Sequence, residues 1–172
     1  MKIVNEFNNY VLYEYDSKSI LEENIDVNQS ILINDDCLEK RKFYGLSDKS
    51  TDCLIIGLFG ELHGIDPSAL FIDSVNCILI NIDKRIYCIE LDSKEVKWMK
   101  ELDSIVYEMK KVPDFSFIAI CELGVIRFTY AGEKLWEYTS DVITDFELNS
   151  NSLSIFTDEG DYSISLDKGS LV

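Results

Sequence analysis

The sequence predicts an all-β chain, a small or partial β-propeller of four-stranded antiparallel blades, with an antiparallel meander or β-sandwich as the alternative. Three observations predict it. Related stretches recur at a near-constant spacing, each stretch alternates apolar and polar residues, and helical patterning is scarce. Residues 117–136, FIAICELGVIRFTYAGEKLW, align without a gap on residues 153–172, LSIFTDEGDYSISLDKGSLV, at an offset of 36. Gly124 then falls over Gly160 and Leu135 over Leu171. Residues 77–98, CILINIDKRIYCIELDSKEVKW, join the set with a two-residue insertion that brings Trp98 over Trp136. A repeat of this length with four short strands per unit has the dimensions of a propeller blade.

Each unit has the same internal order. An apolar run such as Ile78–Ile80 comes first, and then a tight turn, Glu122-Leu123-Gly124 or Asp158-Glu159-Gly160-Asp161. Glycine there can take the positive φ that hairpin turns use. Strict alternation follows, with Tyr162, Ile164 and Leu166 on one face and Ser163, Ser165 and Asp167 on the other. A period of two marks a half-buried strand. A second turn, Asp92-Ser93-Lys94 or Ala131-Gly132-Glu133, leads to a strand carrying Trp98 or Trp136. Between units, Ile105, Tyr107 and Met109, and later Ile143, Phe146 and Leu148, mark another strand.

The chain reads as one domain over 1–172, with regular repeats at 75–172 and irregular blades at 1–74. VLYEYDSK at 11–18 anticipates YCIELDSK at 87–94 and predicts the same strand and turn. The stretch 31–50 opens with the ILIN of 78–81. Residues 53–71, CLIIGLFGELHGIDPSALF, break the pattern; three glycines and Asp66-Pro67 mark loops, read either as an inserted loop carrying a contact surface or as an eroded blade. A helical turn or two is expected in Leu38–Tyr44 or Pro67–Phe71. Lys2–Phe7 is the strand expected to complete the last blade and close the ring.

RIYCIELDSKEVKW and VIRFTYAGEKLW resemble the quinoprotein-type propeller repeat, in which a strand ends in a small acidic turn followed by Gly or Lys, an apolar residue and Trp. The resemblance covers residues 68–172 and, more loosely, 10–50. It implies fold only. Asp92-Ser93-Lys94 lacks the glycine usual at that turn, and no ligand set for a quinone is present, so no cofactor is expected.

The formal charge is −16, spread as 15 acids and 8 bases in residues 1–86 and 17 and 8 in residues 87–172. A surface so evenly acidic repels nucleic acid and anionic membranes and attracts basic proteins. The five cysteines, Cys37, Cys53, Cys77, Cys88 and Cys121, form no CxxC. Cys77, Cys88 and Cys121 lie in strand-like runs and read as small buried residues, not as disulfide or metal ligands. No apolar run has the length of a signal peptide or a membrane span, and a cytoplasmic location is expected. The single histidine, His63, has only Asp66 near it in sequence and reads as a loop residue. P-loop, GxGxxG and GxSxG patterns are absent. No catalytic residue and no metal site is expected.

Antiparallel register sorts the turns to two ends. One end gathers Asp83, Glu101, Asp103, Glu122, Asp141, Asp158, Glu159 and Asp161 against the bases Lys84 and Arg85. The other holds six acids and five bases: Asp73, Asp92, Glu95, Asp114, Glu133 and Asp167, with Lys94, Lys110, Lys111, Lys134 and Lys168. The first end is therefore an acidic rim suited to a cationic partner. The chain has the general character of bacterial toxin-immunity proteins. The expected function is neutralisation of a basic toxin domain, a nuclease above all, by occlusion. A non-catalytic propeller scaffold or ligand sensor is the alternative, and a hydrolase using carboxylates in a central funnel a second.

Overall fold

In a computed structural model describing residues 1–7, 9–26, 30–36 and 40–172, the alternating stretches become strands of four sheets. The first sheet takes β1 (Lys2–Phe7), β2 (Tyr10–Tyr15), β3 (Ile31–Ile33), β4 (Lys42–Asp48) and β5 (Leu54–Gly60), in the order β1-β2-β4-β5-β3. The second is β6 (Ala69–Ile72), β7 (Cys77–Ile82), β8 (Arg85–Glu90) and β9 (Val96–Glu101). The third is β10 (Val106–Val112), β11 (Ser116–Cys121), β12 (Gly124–Thr129) and β13 (Lys134–Thr139). The fourth is β14 (Ile143–Leu148), β15 (Ser152–Thr157) and β16 (Gly160–Ser165). The last three sheets are antiparallel meanders of the blade-like kind that the repeats predict.

The sheets stack face to face. The seam between the first and second holds Leu12, Tyr44, Leu58, Ile78, Ile80 and Tyr87. The next holds Leu79, Cys88, Met109, Phe117, Ala119 and Phe128, and the third Ile118, Ile120, Val125, Leu153, Ile155 and Ile164. Each fully buried Leu, Ile or Phe contributes about 1.5–3 kcal/mol to this stack. The outer face of the first sheet is capped by α1 (Lys18–Glu23), whose Leu21 packs on Tyr15, Leu54 and Phe59. The outer face of the fourth sheet is mostly polar, carrying Asp145, Glu147, Ser154, Asp161, Ser163 and Ser165 opposite the core register, with Phe156 between Asp145 and Asp161. Among the described residues no apolar cluster joins the fourth sheet to the first. The sheets follow one another in chain order, with α1 covering the outer face of the first.

Five expectations are corrected. Lys2–Phe7 pairs with β2, not with the last sheet. The fourth-strand position of that sheet is begun by Ser170–Val172, through the Ile164–Leu171 bridge and the 3.0 Å bond from Val172 N–H to Ser163 O. Residues 53–71 are not one inserted loop: they contain β5 and most of β6, because Ile56 and Leu58 are needed in the first seam and Leu54 and Phe59 under α1. The helical turns expected at 38–44 and 67–71 are replaced by strand at 42–44 and 69–71, while Leu38 and Glu39 lie outside the described residues. The helix falls instead at 18–23, where Ser17 accepts the Ile20 N–H at 3.3 Å as N-cap. Thus the phrase shared by 11–18 and 87–94 begins the same way and ends differently. The ILIN likeness likewise fails: β3 pairs in parallel with β5 at the sheet edge and forms no hairpin.

Irregular spacing has a repeated cause. Register slips between Val106 and Glu108 and between Ile143 and Asp145 are bulges at corresponding points of β10 and β14. They explain why Ile143 and Phe146 share a face at a spacing of three, and why Met109 follows Val106 inward rather than Tyr107.

The tryptophans fasten sheet to sheet. Trp98 Nε1 donates to Tyr130 O at 3.1 Å in the following sheet, and Trp136 Nε1 donates to Leu166 O at 2.9 Å in the next. Each ring lies on a glycine of the turn it reaches, Gly132 (φ +83°) and Gly169 (φ +67°), where a Cβ would stand 3.0 Å and 2.6 Å from the indole. Lys94 holds the matching turn of the second sheet in the same left-handed region at φ +57°. The outermost strand before it, β1, carries no tryptophan. That is why the turn tolerates a side chain.

Candidate functional site: an acidic rim and an adjoining charged cleft

The turns at one end of the stack are bonded in series. Val106 N–H donates to Asp83 O at 2.9 Å and Leu102 N–H to Lys84 O at 2.8 Å, tying the β7–β8 turn to the β9–β10 connection. Glu122 N–H donates to Ile105 O at 2.9 Å, and Ile143 N–H to Glu122 O at 2.8 Å. Thr144 Oγ1 then reaches Phe156 O at 3.1 Å, beside the β15–β16 turn. This series brings Asp83, Glu101, Asp103, Glu122, Asp141, Asp158, Glu159 and Asp161 to the same end. Asp103, Asp141, Asp158, Glu159 and Asp161 are exposed and Glu122 is half-buried. Among the described residues none of these six carboxylates is in an ion pair.

Asp83 and Glu101 are engaged within the chain. Asp83 is half-buried and accepts from Glu61 N–H at 3.1 Å and from Asn34 Nδ2 at 3.2 Å, so it fastens the first sheet to the second. Desolvation raises its carboxyl above the usual range, against the lowering effect of the Glu61 N–H. Glu101 accepts from Arg85 Nε at 3.0 Å. Arg85 also donates to Asn34 Oδ1 at 2.9 Å and to Asp36. The bond from Arg85 holds the Asp36 carboxyl below its ordinary value.

These groups line a cleft of about 410 Å³ with Glu61, His63 and Lys84. Sequence reasoning missed it, because its members come from four separate segments. His63 pairs with Glu61 at 2.9 Å, not with Asp66, which accepts from the buried Tyr44 hydroxyl at 3.0 Å and anchors the 61–68 loop. Among the described residues no group of three His, Cys, Asp or Glu is arranged to hold a metal. Cys77, Cys88 and Cys121 are buried and unpaired, Cys53 is exposed, and Cys37 lies outside the described residues. Burial pushes the Cys121 thiol up to about 12.

The raised Asp83 carboxyl gives a pH prediction. A carboxyl whose folded pKa lies above its unfolded value binds its proton more tightly when folded, so it favours folding more as the pH falls. Asp83→Asn is therefore expected to gain stability over the parent at neutral pH. That gain closes as the pH falls through the folded pKa toward the unfolded value of about 4. Urea unfolding of both proteins across this range checks it; a difference independent of pH would refute the assignment.

No known family profile matches the chain, and no curated protein matches it in sequence. Solved structures do. The chain is similar to BamB from Moraxella catarrhalis, with a TM-score of 0.53 and 12% identity over 78% of this chain and 46% of that one. It is similar to the dihydro-heme d1 dehydrogenase NirN, solved in complex with DHE, with a TM-score of 0.55 and 16% identity over 76% of this chain and 31% of that one. A chain of the Mitotic Checkpoint Complex gives 0.53 and 10% identity, over 69% of this chain and 42% of that one. The chain thus spans less than half the length of each. All three are propeller-type proteins, and at these identities the likeness concerns architecture alone. The chain has a β-propeller-like fold built from four sheets.

Proposed function

We propose that this chain is a protein-binding module whose acidic rim engages a basic protein, and that the partner is a toxin domain neutralised by occlusion, with a nuclease the best chemical fit. The observation that carries the reading is the run of six carboxylates free of ion pairs along turns bonded in series. Carboxylates spaced along a rim can stand in for the phosphates that a nuclease's basic cleft receives. They also steer encounter over distances of about a Debye length, ~8 Å at physiological salt. The propeller-like fold fits a scaffold role, since such sheets present turns from several units on one rigid face.

The reading expects the open reading frame beside this chain's gene to encode a basic protein, and the test purifies that product; a neighbour that is not basic counts against the reading. Binding is expected to weaken by more than about tenfold between low and moderate salt. Asp158→Lys with Asp161→Lys is expected to weaken it by a similar factor and to abolish rescue of growth when the two proteins are co-expressed. Salt-independent binding, or rescue unchanged by the charge reversals, would overturn the reading.

A second reading, a carboxylate-dependent hydrolase, draws support from Asp83, whose carboxyl is raised by burial beside a cleft. Both of its oxygens, however, face the Glu61 N–H within 3.3 Å. The fit to a structural anchor is the better one.

A further inference from the structure

The fourth sheet leaves part of one edge unpaired where the two sheets before it are complete. In the second and third sheets a fourth strand covers the third: Ile86 faces Lys100 and Val125 faces Tyr138. The corresponding second residue of β16 is Asp161. On its outer side β16 meets only the Ile164–Leu171 bridge and two flanking bonds. These run from Val172 N–H to Ser163 O at 3.0 Å and from Ser165 N–H to Ser170 O at 2.8 Å. Ser163 and Ser165 therefore turn their backbone groups outward, and by the alternation of an antiparallel ladder Asp161 does too. Among the described residues no strand lies opposite Gly160, Asp161 or Tyr162 on that side. The open stretch is about 10 Å long.

Its charge is of one sign. Residues 140–167, which include all three strands, hold seven acids and no lysine, arginine or histidine. Asp145 and Asp161 flank Phe156 on the outer face, and Asp158 and Glu159 are exposed in the adjoining turn. Exposed edge strands elsewhere carry lysine: Lys2 in β1, Lys97 and Lys100 in β9, and Lys134 in β13. A second copy of the chain fits β16 badly. Antiparallel pairing of β16 with itself around Asp161 would set these carboxylates against one another, and like charges directly opposite are destabilising. Acid on an open edge thus blocks self-association while admitting a strand that brings a base.

We propose that this edge binds an extended segment of the basic partner as an added antiparallel strand, with a lysine or arginine opposite Asp161 and an apolar residue opposite Tyr162. Main-chain bonds to the Asp161 N–H and C=O supply affinity, and the base across from its carboxylate supplies selectivity. The apolar neighbour stands opposite Tyr162 as Met99 stands opposite Tyr87. This rests on the reading that the rim binds a basic protein, and adds how the backbone holds it.

The test titrates the whole chain with the end-blocked pentapeptide Lys-Val-Lys-Val-Lys, following backbone amides by NMR. A saturable shift at Asp161 and Ser163 is expected, with hydrogen exchange of the Asp161 amide slowed about tenfold or more. Residues opposite one another in a hydrogen-bonded antiparallel pair exchange both bonds. Backbone N-methylation of the lysines is therefore expected to abolish binding, and N-methylation of the valines to spare it. Asp161→Asn, at an exposed position, is expected to raise the midpoint about threefold or more. No shift at Asp161, equal binding of the two methylated peptides, or equal binding of Glu-Val-Glu-Val-Glu overturns the proposal. Asp161 exchange that slows with protein concentration alone makes a second copy the occupant and overturns it as well. The two readings fail separately. Protection of Asp161 by the peptide, with no binding of the neighbouring gene's product, refutes the rim reading alone. Salt-dependent partner binding that leaves Asp161 exchange unchanged in the complex refutes strand addition alone.

Discussion

Replacing Arg127 with alanine is expected to lower stability by about 3–5 kcal/mol, the largest effect of any single polar substitution in the chain. Arg127 is 5% exposed. Its Nε donates to Ser116 Oγ at 3.0 Å, one terminal nitrogen to Leu166 O at 2.6 Å and the other to Pro113 O at 3.0 Å. Bonds from a charged donor each contribute about 1.5–3 kcal/mol, and their loss leaves Leu166 O with Trp136 Nε1 and Pro113 O with the Ser116 hydroxyl as remaining donors. Leu166 O also takes the Trp136 Nε1 bond, so one carbonyl joins the fourth sheet to the third through two side chains. The Asp114 carboxylate stands 3.7 Å away and is 85% exposed, so it adds little. Arg127→Lys is expected to fall between, because an ammonium cannot reach three acceptors in the fork geometry. Urea unfolding of the three proteins decides the matter. A loss below about 1 kcal/mol for the alanine variant would show that the third seam does not depend on this group.

Gly169→Ala is expected to cost about 2–4 kcal/mol. A left-handed residue with a Cβ loses about 1–2 kcal/mol, and forcing a ring from its packed position loses about 1–3 more. The Cβ would stand 2.6 Å from the Trp136 ring. Gly132→Ala meets Trp98 at 3.0 Å and should cost less. Lys94→Gly is the counterpart: the left-handed penalty disappears with no ring to disturb, and a gain of about 0.5–1 kcal/mol is expected. Thermal or urea unfolding of the set gives the order. If Gly169→Ala proves harmless, the tryptophan contact is not what selects glycine there.

Much of the fold was legible in the sequence because its signals are local. The repeat alignment, with its two-residue insertion, places Trp98 over Trp136, and the structure turns that match into a chain of sheet-to-sheet fasteners. The missing glycine at Asp92-Ser93-Lys94 looked like a departure from the pattern. It is explained once β1 is seen to lack a tryptophan. The eight acidic turn residues fall at one end because antiparallel strands reverse at every turn, which residue counting alone can track.

The rest depended on partners far away in sequence. The phrase ending Asp16-Ser17-Lys18 starts a helix, while the one ending Asp92-Ser93-Lys94 turns into β9. Leu21 has an apolar surface of Leu54 and Phe59 to cover, whereas Trp98 has Phe117 and the Tyr130 carbonyl to reach. Nothing within eight residues states that difference. His63 met Glu61 instead of Asp66, and Asp83 and Glu101 were drawn into the chain's own bonds, because the first sheet brought Asn34 and Glu61 against the β7–β8 turn. The chain by itself determined strand period, turn chemistry and the sign of each end, since these follow from neighbouring residues. Only the stacking of the sheets decided which carboxylates are drawn into the chain's own bonds and which stay exposed, since burial and pairing depend on what lies opposite.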